Sequence, residues 1–91
     1  MKYELAVTRG FRRDVKRLKK QGLPMEELSF VLNQLLEGKA LPVEYRDHGL
    51  TGNYAGFREC HIRPDWLLIY LVSEKELILT ASRTGSHSDL L

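Results

Sequence analysis

The stretch Trp66-Leu67-Leu68-Ile69-Tyr70-Leu71-Val72 decides the fold of this 91-residue chain. Seven consecutive apolar or aromatic residues are too few to span a bilayer, and they suit a central β-strand that is covered on both faces. A strand of this kind needs strand neighbours in its sheet and a layer of other elements on its faces. The flanking sequence supplies both.

Three further stretches are typical of strands, because apolar and polar residues alternate between clusters of turn-forming residues. Pro64-Asp65 and residues 73–76 form the turns on either side of the central run, so its two neighbours along the chain are predicted to lie antiparallel to it. The predicted strands cover residues 3–8, 54–62, 66–72 and 77–83.

Two amphipathic helices are predicted between the first and second strands. Thr8 is placed to accept hydrogen bonds from the free amides of the first helix, and Gly22 is placed to end it. Pro24 suits the start of the second helix, and Gly38 ends its apolar pattern. The order β-α-α-β-β-β predicts a single α+β domain over residues 1–91, with a helical hairpin packed on a mainly antiparallel, twisted sheet.

Positive charge is concentrated in the N-terminal part of the chain. Residues 1–20 hold eight Lys or Arg against two acidic residues, whereas the remainder holds six against ten. A basic helix face of this kind predicts a surface for a polyanion such as RNA, and an ordinary solvated face is the alternative. The cations opposite the apolar stripe of the first helix are Arg9, Arg12, Arg13, Lys16, Arg17, Lys19 and Lys20.

Three histidines, His48, His61 and His87, lie beside polar turn residues in the strand-rich half. Period-two alternation along residues 57–63 places Glu59 and His61 on one face, where a carboxylate can orient an imidazole for acid-base catalysis. An ordinary contact on a solvated sheet face has the same pattern. Cleavage of RNA through the ribose 2′-OH needs a base, an acid and a cation, which histidine and arginine supply at neutral pH.

Other classes of protein fit the sequence poorly. The single Cys60 excludes an internal disulfide and a zinc site made of several thiolates. The three histidines lack the short helical spacing of a zinc hydrolase, so no metal site is predicted. Glu4 interrupts the N-terminal stretch where a signal peptide needs its apolar run, and a soluble cytoplasmic protein is therefore expected.

Four segments in a fixed order resemble a known family, the YafQ branch of the RelE-like bacterial toxins. The resemblance covers nearly the whole chain, because the basic first helix suits the family too. The segments are Tyr45-Arg46-Asp47-His48-Gly49-Leu50-Thr51-Gly52, Gly56-Phe57-Arg58-Glu59-Cys60-His61-Ile62, Pro64-Asp65-Trp66-Leu67-Leu68-Ile69-Tyr70 and Arg83-Thr84-Gly85-Ser86-His87.

The resemblance implies a RelE-like fold and the toxin of a type II toxin-antitoxin system. Such a toxin is a ribosome-dependent, metal-independent endoribonuclease that cuts messenger RNA in the ribosomal A site and inhibits translation. Its implied partners are the ribosome and a cognate antitoxin, with DNA contacted only indirectly through the antitoxin complex. It implies no cofactor and no membrane contact.

The family's catalytic positions fall, by resemblance, on His48, Glu59, His61, Asp65, Arg83 and His87. His87 is then expected to protonate the leaving oxygen, and His48 or His61 to activate the 2′-OH. Arg83 is expected to hold the scissile phosphate, and the two carboxylates to orient the histidines.

Two departures from the family pattern leave alternatives open. Glu59 stands where Asp is more usual, and Asp89-Leu90-Leu91 ends the chain where the family tends to have an aromatic residue that could stack on a base. One alternative is a degenerate toxin that only binds its antitoxin. Another is a non-nuclease relative of the ParE toxins that acts on DNA gyrase, although that branch does not need the three histidines.

Overall fold

The computed structural model of the chain describes residues 1–90 and contains a five-stranded sheet with two long helices on one face. The α+β class and the helical hairpin are as predicted. No helix among these residues is long and apolar enough to cross a membrane. In chain order the elements are β1 (Glu4–Val7), α1 (Arg9–Lys20), α2 (Met25–Leu36), β2 (His48–Gly49), β3 (Arg58–Arg63), β4 (Trp66–Ser73), β5 (Ile78–Gly85) and α3 (His87–Leu90).

The apolar run forms β4, the central strand of a sheet with the order β1-β5-β4-β3-β2. Only β1 is parallel to its neighbour, β5, and the other pairs are antiparallel. Trp66, Leu68 and Tyr70 are buried in the core under the helices, whereas Leu67 and Ile69 pack on the opposite face with Leu90 of α3. The prediction that both faces of this strand are covered is confirmed.

Both ends of α1 form as the sequence predicts. The side chain of Thr8 accepts a hydrogen bond from the Phe11 amide at 3.0 Å, and its hydroxyl donates to the Ser82 carbonyl at 2.6 Å. Gly22 has φ +82°, in the left-handed region that glycine adopts readily, and it follows directly after the end of the helix. Thr8 therefore bonds the start of α1 to the second half of β5.

The structure differs from the predicted elements in three details. The order β-α-α-β-β-β lacks the two-residue strand β2 and the one-turn helix α3. The strand predicted from residue 54 begins at Arg58, because the Gly52–Tyr54 segment forms a short 3-10 turn. A bulge between His61 and Arg63 also ends the alternation, and Arg63 pairs with Glu27 of α2 at 2.7 Å.

Cys60 lies inside the core and is fully buried. Burial raises the pKa of its thiol to about 12, so the side chain is a neutral, apolar packing group at neutral pH. This placement gives Cys60 a structural role.

Candidate active site

Five of the six predicted catalytic side chains meet at one end of the sheet, around the strands β2 and β3 and the start of α3. His48 lies directly opposite Glu59 in the pairing of β2 with β3. The ring centroids of His48 and His61 are 6.5 Å apart, and those of His61 and His87 are 5.8 Å apart. The three imidazoles therefore follow one another, with His61 in the middle.

His48 is held by oxygen atoms at both ring nitrogens. Its Nδ1 lies 2.7 Å from the Arg46 carbonyl oxygen, and its Nε2 lies 3.2 Å from Glu59 Oε2. The Nδ1 contact is a hydrogen bond in which the ring donates to the carbonyl oxygen, and the Nε2 contact brings the ring within ion-pair distance of the carboxylate. Glu59 is almost fully buried, which fixes the carboxylate beneath this ring.

Asp47 fixes the loop that carries His48, a role that no sequence pattern indicates. The Tyr70 hydroxyl donates to Asp47 Oδ1 at 2.6 Å, and Arg58 Nε lies 3.3 Å from the same oxygen. Burial and the bond to Asp47 raise the pKa of Tyr70, so its hydroxyl keeps its proton and remains a donor. The central strand thus anchors the residue next to His48.

His61 and His87 each use Nδ1 as a donor to an oxygen atom. The Pro64 carbonyl is 3.3 Å from His61 Nδ1, and Asp65 Oδ1 is 2.7 Å from His87 Nδ1. Neither Nε2 atom has a hydrogen-bond partner within residues 1–90. The bond at Nδ1 therefore orients each ring and leaves Nε2 available to a substrate.

Hydrogen bonds from His87 keep the carboxylate of Asp65 ionised. The same Oδ1 atom accepts from the His87 backbone amide at 3.0 Å and from the His87 ring. These two bonds, the backbone bond first, lower the pKa of Asp65. The carboxylate at this position accepts from Nδ1 and so fixes the orientation of the His87 ring.

Arg83 is the predicted catalytic residue that the structure does not bring into contact with the others. It lies opposite Ile69, in the same row across the sheet as Glu59, but two strands away at about 4.8 Å per strand. Its guanidinium binds Asp14 of α1 instead, with Nε at 2.6 Å and Nη2 at 3.1 Å from the two carboxylate oxygens.

Asp14, Arg17, Arg83 and Thr84 form a network that we call the Asp14 network. The Asp14 side chain is only 2% exposed, and it also accepts from Arg17 Nη1 at 2.9 Å and from the Thr84 amide at 3.1 Å. Burial by itself would raise the pKa of Asp14, but the hydrogen bonds from Arg83, Thr84 and Arg17 outweigh it and lower the pKa. A buried, ionised carboxylate therefore joins α1 to the end of β5.

The expectation that Arg17 faces outward as a phosphate contact is wrong. Arg17 is only partly exposed, and its Nη2 atom also lies 3.4 Å from Asp89 of α3. A signal for this arrangement was present in the sequence, since Asp14 falls between Phe11 and Leu18 on the apolar stripe of the helix. An acidic residue on such a stripe needs a buried partner.

The other cations of α1 are exposed, and none forms an ion pair within the described part of the chain. They give the outer side of the helix an uncompensated positive charge, as the sequence predicts. These residues are Arg9, Arg12, Arg13, Lys16, Lys19 and Lys20.

Comparison with known proteins first defines the class: toxins of type II toxin-antitoxin systems share this fold at TM-scores near 0.9. Residues 3–91 match the family described as "Bacterial toxin of type II toxin-antitoxin system, YafQ". The chain belongs to the YafQ family, as the sequence motifs indicate.

Three relatives show how close the similarity is. The mRNA interferase toxin YafQ of Escherichia coli K12 is 37% identical over 81 residues, which cover 88% of this chain and 86% of that protein. The crystal structure of the E. coli DinJ-YafQ complex gives a TM-score of 0.89 at 33% identity, with 98% of both chains covered. A metal-bound toxin from Helicobacter pylori gives a TM-score of 0.92 at 37% identity, with 98% and 99% covered.

Proposed function

We propose that this protein is an mRNA interferase that cuts messenger RNA in the ribosomal A site in the cytoplasm and is silenced by a cognate antitoxin. The observation that carries the proposal is the succession of three imidazoles, each oriented by an oxygen atom at Nδ1. The E. coli relative bears the name of this activity, and another structure describes a YafQ protein in complex with the antitoxin DinJ.

His61 is the better placed of the two candidate bases. Its Nε2 is unoccupied among the described residues, whereas His48 has an oxygen atom at each nitrogen. In the proposed reaction, His61 Nε2 takes the proton of the 2′-OH, and the resulting oxygen attacks the adjacent phosphorus. The bond from phosphorus to the 5′ oxygen then breaks.

His87 completes the reaction as the general acid. Its protonated Nε2 donates to the departing 5′ oxygen, so the products are a 2′,3′-cyclic phosphate and a 5′-hydroxyl end. Asp65 and Glu59 orient His87 and His48, respectively. The charge that develops on the phosphoryl oxygens is balanced by Arg83, which lies two strands from Glu59 but keeps its Nη1 donors outside the pair with Asp14 and so available to the message.

Both proton transfers in this scheme are performed by imidazoles, so the proposed reaction needs no metal ion. Within residues 1–90, no group of three or more His, Cys, Asp or Glu side chains is arranged to hold one. An H. pylori relative is described as metal-bound, so the dependence of the cleavage rate on metals has to be measured as well.

Toeprinting of a defined message on programmed 70S ribosomes tests the proposal. We expect a cut within the A-site codon, none without ribosomes, and the same rate with a chelator that removes transition metals but leaves the Mg²⁺ that ribosomes need. A rate that falls with the chelator and returns with added Zn²⁺ or Cu²⁺ would contradict the metal-independent scheme.

Two other outcomes would replace the proposal. Binding to ribosomes without any cut favours the degenerate toxin that only binds its antitoxin. Neither binding nor cutting, together with inhibition of DNA gyrase, favours the ParE-like alternative.

The exposed cations of α1 are proposed to bind ribosomal RNA phosphates. We expect the triple variant Arg12→Gln, Arg13→Gln, Lys16→Gln to bind ribosomes more weakly and to reduce the slope of log K against log salt by about 2–3, because fewer counterions are released. Sedimentation at several salt concentrations measures this slope. Arg17 is left unchanged, since its substitution would disturb the Asp14 network.

The matched control replaces three cations on other parts of the surface, Lys2, Lys39 and Lys75, with glutamine. Its net charge is the same as that of the α1 variant. An equal loss of slope in both variants would mean that net charge, rather than the surface of α1, governs the association.

A further inference from the structure

A cleft of about 400 Å³ opens beside His61, between the short Val43–Tyr45 helix and the turn that joins β3 to β4. Tyr45 and Arg46 form one wall, and His61 and Pro64 belong to the other. Ligand pockets range from about 300 to 1,000 Å³, so this one has the size for a single nucleotide rather than a longer ligand. His87 is not part of its wall.

Arg46 has an unusual backbone conformation at the edge of this cleft. Its φ of 49° and ψ of 44° lie in the left-handed region, which side-chain-bearing residues adopt rarely. Two hydrogen bonds hold it there, from its amide to the Val43 carbonyl at 3.0 Å and from His48 Nδ1 to its own carbonyl at 2.7 Å. One residue therefore supports His48 with its backbone and lines the cleft with its side chain, and strain of this kind is concentrated at functional sites.

The charges around the cleft leave one cation unpaired. Arg63 also lines the wall, but its charge is paired with Glu27, to which Nε and Nη2 donate at 2.8 and 2.7 Å. The exposed Arg46 side chain has no hydrogen bond or ion pair within residues 1–90. Glu44 lies at the same wall, and its carboxylate can accept a bond from the exocyclic amine of a base.

An aromatic ring beside an arginine matches the way in which proteins hold an unpaired base. Single-stranded RNA is bound by stacking its splayed bases on aromatic rings and guanidinium planes, with phosphates held by cations. Tyr45 and Arg46 supply these two groups next to each other. The chemistry of the wall therefore fits one nucleotide of an RNA strand.

We propose that this cleft binds the base of the nucleotide on the 5′ side of the cut, the one whose 2′-OH attacks. The side is set by His61, which lines the cleft and is the assigned base, whereas the acid His87 serves the nucleotide on the 3′ side. The inference rests on the proposed function and adds to it the place where the message is read upstream of the cut.

The experiment uses messages in which the nucleotide 5′ of the cut keeps its ribose and 2′-OH but lacks its base. Stacking is worth about 1–3 kcal/mol per base, so kcat/KM of the wild type is expected to fall about 5- to 150-fold on the abasic message. Tyr45→Ala is expected to lose a similar factor on the intact message and little more on the abasic one. Arg46→Gln removes the cation of the cleft, so it is expected to raise KM. The backbone that supports His48 is unchanged in this variant.

Two variants provide the controls. Tyr45→Phe keeps the ring and is expected to cut like the wild type, and Lys75→Gln removes an exposed cation from the turn between β4 and β5. If Tyr45→Ala proves unstable, Arg46→Gln alone carries the test, with Lys75→Gln as its charge-matched reference.

Equal cleavage of intact and abasic messages by an active wild type would overturn the inference and leave the proposed function intact. If no message is cut at all, the proposed function fails, and the cleft is tested by NMR titration with a short single-stranded RNA and its abasic form. Base-dependent shifts confined to residues 44–46 and 61–64 would support the cleft as a site, and their absence would refute it.

Discussion

Replacement of His87 with alanine is expected to slow cleavage of a ribosome-bound message by about 10²–10⁴-fold, the contribution of a positioned general acid. The side chain supplies the only proton for the departing 5′ oxygen in the proposed reaction. Single-turnover kinetics on programmed ribosomes measures the loss. Ribosome binding is expected to stay the same, because His87 lies on α3 and is not one of the exposed cations of α1 that are proposed to bind ribosomal RNA.

Asp65→Asn is expected to lose less activity than His87→Ala, because the imidazole remains but its orienting charge is gone. Since Asp65 acts through His87, the double variant should be no slower than His87→Ala alone. Ser88→Ala, one residue along α3, is the matched control and should cut at the wild-type rate. A double variant that is clearly slower than His87→Ala would contradict the role of Asp65 as a positioning residue.

Asp14→Asn is expected to lower the free energy of unfolding by about 2–4 kcal/mol, the cost of removing one partner from a buried, charged hydrogen-bond network. Arg83 and Arg17 would lose their shared counter-charge, and the side chains of both are partly buried. Chemical denaturation monitored by circular dichroism measures the change. Glu26→Gln, an exposed carboxylate in the first turn of α2, is the matched control and should cost at most about 1 kcal/mol, the contribution of a charge at a helix N-terminus.

The dependence on pH gives this prediction a second, independent test. The pKa of Asp14 is lower in the folded protein than its ordinary value of 3.8, so the carboxylate stabilises the fold above that pH. The contribution is lost as the pH falls through the lower, folded pKa. The difference in stability between wild type and Asp14→Asn should therefore be constant at neutral pH and shrink below about pH 4. A difference that grows on acidification would mean that the network does not hold an ionised Asp14.

The central part of the fold could be predicted because its signals are local. The apolar run of β4 needs cover on both faces wherever it lies, and the caps at Thr8 and Gly22 depend on neighbouring residues only. By contrast, β2 and α3 have two and four residues, which is too short for any periodic pattern. Contacts with the rest of the protein, such as Leu90 against Leu67, decide that they form.

The candidate site divides in the same way. The motifs predicted which histidines and carboxylates come together, and the geometry brings His48, Glu59, His61, Asp65 and His87 to one end of the sheet. The identity of the partners that hold His48 and Arg83 was not predictable. Asp47 reaches a tyrosine 23 positions later, and Asp14 reaches an arginine 69 positions later, so a local pattern could show that buried Asp14 needs a partner but not which residue it is.

The parallel pairing of β1 with β5 has a consequence for synthesis of the toxin. Thr8, at the end of the first strand, bonds to Ser82, 74 positions later, and β1 has no other neighbour in the sheet. Contacts between residues this far apart in the chain form late in folding, because the entropy of the intervening loop must be lost before the contact can form. The nascent chain therefore cannot complete its sheet, or place His87, until the segment with β5 and α3 has been translated. The N-terminal strand of this toxin is thus made early but can take its place only after the segment that carries His87 has been made.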